Sequence, residues 1–194
     1  MRKFNVFRII LLSFFGFVLI AFGCATNKNH ESSTETIQFK NLSINMNIPG
    51  NWKSVRSSGT QFSGAETQDR RVTPPSGEKA LIMLTFGKPN TGAPLTNEQF
   101  LSFANNRAAA LLPHAVEKEV RFIELPLNGG QGIYCILTDS SLVNVETPAD
   151  NDYRYLAVYF ANYEKGFFVH GTVLTDDITN DTFQQMLNIL SSIN

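Results

Sequence analysis

The chain has 194 residues, with 43% hydrophobic, 11% aromatic and 17% charged side chains and a formal net charge of −1. That composition belongs to one globular domain with room for an appendage. It excludes a disordered tail, a collagen-like fibre, a disulfide mini-scaffold and a multi-span membrane protein, and the near-zero charge argues against a nucleic-acid binder that relies on a broad basic face.

The first residues differ from the rest. Arg2, Lys3 and Arg8 form a basic start, and Ile9 to Phe22 is an uncharged run interrupted only by Ser13 and Gly16. As a helix the run would be roughly 21 Å long at 1.5 Å per residue, short of a bilayer core of roughly 30 Å. It suits the apolar region of a signal peptide better than a permanent span. The run ends in Ala21-Phe22-Gly23-Cys24, which resembles a bacterial lipobox, with Ala21 at the position where Leu is usual. The resemblance implies that the Cys24 thiol receives a diacylglycerol, that the leader is cut before it, and that the new amine takes a palmitate-type chain. An uncleaved N-terminal anchor, or an ordinary signal peptide with Cys24 incidental, stays open beside it.

Two or three acyl chains on one cysteine would hold the protein at a membrane, because each buried CH₂ contributes about 0.8 kcal/mol. Ala25 and Thr26 follow, with no Asp, which resembles the outer-membrane default, facing the periplasm, if the source has two membranes. Loss of Arg2, Lys3 and Arg8 with the leader leaves 13 of the 16 basic residues against 17 acidic ones. The lipid, and not charge, would then provide the attachment. Residues Ala25 to Glu35 are polar without apolar period and predict a flexible tether spanning roughly 15–20 Å. The expected organisation is a signal peptide over 1–23, the lipidated cysteine and tether over 24–36, and one folded domain over 37–194.

In the domain, Ile44, Met46 and Ile48 alternate as in a strand, Pro49-Gly50 turns the chain, and Trp52 follows. Residues Gly64 to Gly77 are polar with Pro74-Pro75 and predict an exposed loop. Lys79 to Phe86 is apolar on both faces, as in a strand covered on both sides. Thr96 with Gln99 forms a capping box ahead of a helix carrying Phe100, Phe103, Ala104 and Leu111, which Pro113 ends. Four strands are predicted next, over about Ala115–Leu125, Gly132–Asp139, Tyr153–Tyr163 and Phe167–Thr175. Asn128-Gly129-Gly130 and Glu164-Lys165-Gly166 are hairpin turns between them. Phe183, Met186, Leu187, Leu190 and Ile193 share one stripe of a closing helix. The expected fold class is α+β, an antiparallel sheet flanked by helices.

Three segments together resemble the PsbP-like sandwich fold. They are Ile44-Asn-Met-Asn-Ile48-Pro49-Gly50-Asn-Trp52, Asn97-Glu98-Gln99-Phe100-Leu101 and Phe183 to Ile193. That superfamily includes an extrinsic protein of the oxygen-evolving complex, a Ran-binding nuclear import factor and bacterial envelope proteins of the DcrB type. The resemblance covers roughly residues 37–193, implies an α/β/α sandwich, and favours a binding protein over an enzyme.

Residues able to carry chemistry are sparse. There is no G-x-S-x-G elbow, and His30, His114 and His170 stand apart without a C-x-x-C or H-E-x-x-H. Gly130-Gln131-Gly132 leads into a strand and so does not suit a phosphate loop. Asp150-Asn151-Asp152, and Asp176-Asp177 with Asp181, lack calcium-loop spacing and suit loop and helix-start roles. His170, between Phe168 and Thr172 on one strand face, and Cys135 within Ile133–Leu137 predict buried structural residues. Tyr153, Tyr155, Tyr159 and Tyr163 share one strand face. They form either a partner-binding face, since tyrosines are enriched at recognition surfaces, or the support beneath a helix, with each hydroxyl at the edge. The reading that results is a membrane-anchored envelope lipoprotein whose domain is a non-catalytic binding or assembly module, without a cofactor and with an envelope protein as its partner. The alternative is a small-ligand or metal-ion-binding envelope protein. A hydrolase would need His170 or His114 beside a carboxylate in a deep pocket.

Overall fold

Two antiparallel sheets and two helices organise residues 32–57, 62–75 and 77–194, the part of the chain described in a computed structural model. The first sheet is a hairpin of β1 (Ser32–Phe39) and β2 (Leu42–Pro49), joined by Lys40-Asn41 with Lys40 at φ 56°. Ile37 and Phe39 face inward with Ile44, Met46 and Ile48. On the outer face Thr34 donates to Asn47 and Thr36 to Asn45 across the ladder, at 2.9 and 3.0 Å. Such opposed pairs hold a two-stranded ribbon in register.

The second sheet comprises β3 (Lys53–Ser57), β4 (Ala65–Thr73), β5 (Ala80–Pro89), β6 (Ile123–Leu127), β7 (Gly130–Thr138), β8 (Tyr155–Tyr163) and β9 (Phe167–Thr175). Its spatial order is β3-β4-β5-β9-β8-β7-β6, antiparallel throughout. Between β5 and β6, helix α1 (Asn97–Ala109) and a 3-10 turn (Leu112–His114) carry the chain across one face to the far edge. The next three strands then return by hairpins until β9 closes against β5. Gly129 (φ 74°) and Gly166 (φ 82°) supply the left-handed residues of two of those turns. The α1 start is set by the capping box: Thr96 accepts from the Gln99 N–H, and the Gln99 side chain accepts from the Thr96 N–H.

Each face of this sheet has its own core. On one side α2 (Asp181–Ser191) and the β1–β2 hairpin bury Trp52, Leu84, Phe86, Tyr159, Phe167, Met186 and Leu190. On the other, Phe100, Ala104 and Ala108 of α1 pack on Ile133, Cys135, Val158 and Phe160. The Trp52 N–H donates to the Pro49 carbonyl at 2.8 Å to close the turn after β2, and its indole donates to Gln185 of α2 at 3.1 Å. The chain is therefore α+β, with helices on both faces of an antiparallel sheet.

Three expectations are corrected. The polar stretch expected as a loop over Gly64 to Gly77 is mostly β4. Its side chains toward the hairpin are polar, with the half-buried Arg70 on Glu35 at 3.3 Å and the exposed Glu66 on Lys40 at 3.1 Å, so the strand carries no apolar alternation. Of the strand expected over Ala115 to Leu125, an isolated bridge from Ala115 to Asp139 forms upstream and a continuous strand begins only at Ile123. Upstream, the Glu117 carboxylate accepts the Thr138 N–H and hydroxyl, both at 2.8 Å, and so occupies a donor at the end of β7. Finally, β1 begins at Ser32, inside the segment expected as tether, because Ser32 to Thr36 find partners from Asn45 to Pro49.

Candidate functional site

The four tyrosines do not form one exposed face. Tyr159 and Tyr163 are 0% and 1% exposed, beneath the apolar stripe of α2. The Tyr159 hydroxyl lies 3.4 Å from the Leu190 carbonyl and 3.4 Å from the Tyr163 hydroxyl, and the Tyr163 ring stacks on Phe167 at 4.3 Å. Burial raises both phenol pKa values far above the ordinary range, so both stay protonated. Tyr155 is half-buried at the start of β8. Tyr153 precedes the strand, with the Lys79 ammonium 5.8 Å from its ring centre. Cys24 and His30 lie outside the described residues.

An aromatic cluster beside a pocket lies on the opposite face. Phe103 and Arg107 stand one turn apart on α1, a spacing that places both on one side of a helix. Phe62 precedes β4 and Phe168 comes from β9. The Phe62 ring meets Phe103 at 5.5 Å and Phe168 at 5.7 Å, and Phe103 meets Phe168 at 5.5 Å, all edge to face. Together with Ala65, Pro89 and Leu95 these rings line a pocket of about 300 Å³. Arg107 is exposed at the pocket, its guanidinium 4.7 Å from the Phe62 ring centre and 5.9 Å from that of Phe103. A guanidinium over an aromatic face is attracted by the ring quadrupole and keeps its N–H edge available.

His170 adjoins the pocket, its ring 5.7 Å from Phe62 and 5.3 Å from Phe160. Burial pulls its pKa down to about 4, the Arg107 charge adds to the depression, and Asp69 opposes it. The imidazole is neutral at pH 7 and a weak base there. Apolar walls with one guanidinium suit recognition of an apolar body rather than proton transfer.

The other candidates serve the fold. His114 lines a smaller pocket of about 140 Å³ with Asp139, whose carboxylate is taken by the Ser141 N–H at 2.8 Å and hydroxyl at 2.6 Å. Asp176 pairs with Lys79 at 2.9 Å and accepts the Arg154 N–H, which ties down the long loop before β8. Asp177 accepts the Thr179 N–H and hydroxyl, and the cap of α2 is Asn180. Asp150 and Asp152 are exposed in that loop. Cys135 is 1% exposed, and burial pushes its thiol up to about 11. Among the described residues no three His, Cys, Asp or Glu side chains are grouped to hold a metal ion, and no helix is long and apolar enough to cross a membrane.

Sequence reasoning missed this pocket. Phe62 and Phe168 are more than a hundred positions apart in the chain, so only the pairing of β4 with β5 and of β5 with β9 brings them together. The Phe103/Arg107 spacing on a capped helix was the one local signal. No family model, no curated protein and no solved structure matches this chain.

Proposed function

We propose that this chain is a lipid-anchored, non-catalytic binding protein of a bacterial envelope, held by acyl chains on Cys24 and recognising its ligand or partner at the aromatic pocket beside α1. The observation that carries the reading is that pocket: Phe62, Phe103 and Phe168 around about 300 Å³, with the Arg107 guanidinium at its mouth and a neutral histidine beside it. A cavity of this kind with few polar groups is the ordinary form of a small-molecule site, which favours the small-ligand reading over a flat protein-docking face, since Tyr159 and Tyr163 are buried.

The anchor is supported by Arg2, Lys3 and Arg8, the apolar run Ile9 to Phe22, and Gly23-Cys24. Ala25 and Thr26 support outer-membrane placement in a two-membrane bacterium. A PsbP-like sandwich is supported by the order of elements: an opening strand, the turn from Pro49 to Trp52, a mid-chain helix, and a closing helix packed on the sheet. Membrane fractionation with intact-mass measurement tests the anchor. Cys24→Ser is expected to move the protein to the soluble fraction or to leave the leader uncut. Unchanged attachment and mass would overturn the anchor.

A further inference from the structure

The Phe62–Phe103–Phe168 pocket has one charged group at its rim whose interactions are incomplete. Arg107 makes no ion pair and no hydrogen bond among the described residues, and its guanidinium lies over Phe62 and Phe103. The guanidinium carbon lies 4.7 Å from the Phe62 ring centre and 5.9 Å from that of Phe103, and the ring faces cannot accept all five of its N–H groups. A planar carboxylate matches a guanidinium edge with two parallel bonds. At the packing density of protein interiors, about 300 Å³ holds roughly a dozen non-hydrogen atoms. The walls are ring edges and faces, and His170 stays uncharged behind them.

We infer that this pocket binds a small monocarboxylate with a compact apolar body, the body among the three phenylalanines and the carboxylate on Arg107. The inference rests on the pocket being the recognition site. Arg107 is the one charged residue of the lining, and the other polar residues, Ser63 and Gln99, are neutral, so a second charge on the ligand would be desolvated without a counter-ion. One negative charge at one end of an apolar molecule is the complement.

The test is titration calorimetry of the full-length chain in phosphatidylcholine nanodiscs, with empty discs as the blank. The probes are 3-phenylpropionate and its neutral amide. Wild type is expected to bind the acid about tenfold more tightly than the amide, the margin of one charge-assisted pair. Arg107→Gln should abolish that preference, and Arg107→Lys should restore part of it. Phe103→Ala should weaken both probes. Arg107 is exposed, so its variants keep the test valid if Phe103→Ala folds poorly. Equal binding of acid and amide to wild type, lost in Phe103→Ala, overturns the carboxylate assignment and leaves the pocket standing. Heat no greater than the blank for either probe overturns both the assignment and the pocket reading.

Discussion

The ring of Phe168 lies over Gly87, its partner in the β5–β9 ladder, so closely that a β-carbon at position 87 would sit 2.1 Å from the ring's Cζ. The backbone of Gly87 is not left-handed, so the requirement is for space. Gly87→Ala therefore displaces a wall of the pocket. It is expected to lower stability by about 1–3 kcal/mol, the range for overpacking, and to weaken probe binding. Urea unfolding of Gly87→Ala with and without Phe168→Ala checks the cause, because removing the ring should abolish most of the penalty. Equal penalties in both backgrounds would show that the ring is not what the β-carbon meets.

Tyr159 and Tyr163 belong to the core beneath α2. The Tyr159 hydroxyl contacts are long, both 3.4 Å, so Tyr159→Phe is expected to cost about 1 kcal/mol or less. Tyr159→Ala removes a 0%-exposed ring and is expected to cost about 3–5 kcal/mol. Chemical denaturation followed by far-UV circular dichroism measures both. An alanine variant as stable as the phenylalanine variant would return this residue to the surface.

His170 makes stability depend on pH. Its folded pKa is near 4 against an unfolded value near 6.5, so between those values the unfolded chain binds more protons. Stability is then full above pH 6.5 and falls as pH drops toward 4, by about 3 kcal/mol in all. His170→Gln should flatten the profile over that interval. Glu117 acts lower. Partial burial opposes its ionisation, but the Thr138 bonds outweigh that and hold its carboxyl below the usual range, so its contribution is lost only under more acid conditions. Denaturation midpoints from pH 2.5 to 7.5 separate the two, and an unchanged slope above pH 4 in His170→Gln would remove the histidine from the account. Arg107→Gln should raise the His170 pKa, readable by imidazole NMR titration.

The legible parts of this fold were those where one residue type answers one local demand. Thr96 and Gln99 cap α1, Gly129 and Gly166 take left-handed turn positions, and the α2 stripe from Phe183 to Ile193 follows a helical period. The β4 strand was illegible because Arg70 and Glu66, on the side toward the hairpin, are satisfied by ion pairs to residues remote in sequence. The stretch from Ala115 to Phe122 misled for the converse reason: it starts with a bridge from Ala115 to Asp139, but the Glu117 side chain then takes the Thr138 N–H and the ladder does not continue. The face assignment of the β8 tyrosines followed from alternation alone, but which face stays open depends on where α2 and α1 land, and no local pattern encodes that.

The last residues clamp β2. Asn45 and Asn194 exchange backbone bonds at 3.0 and 3.1 Å, Ser192 accepts the Asn47 N–H at 2.9 Å, and Ile193 is fully buried between them. The Asn194 contribution is mainly backbone, so Asn194→Ala should change stability by no more than about 0.5 kcal/mol. Ile193→Ala empties a filled site and should cost about 2–5 kcal/mol. Thermal unfolding of the two variants measures the contrast, and similar losses would show that the Asn194 side chain matters as much as the packing.

The two cysteines give a count that reads the anchor directly. Cys135 is 1% exposed with its thiol pushed up to about 11, and alkylating reagents react with thiolates, so it should be inert in the folded protein at pH 7.5. A thioether at Cys24 would be inert in any state. Native membrane-extracted protein treated with iodoacetamide is therefore expected to take up no label. The same protein in denaturant should take up one, at Cys135, as read by intact mass. Two labels after unfolding would reveal a free thiol at Cys24 and remove the lipid anchor, whereas one label in the folded state with no second one on unfolding would place Cys135 at the surface and contradict the packing of β7 against α1.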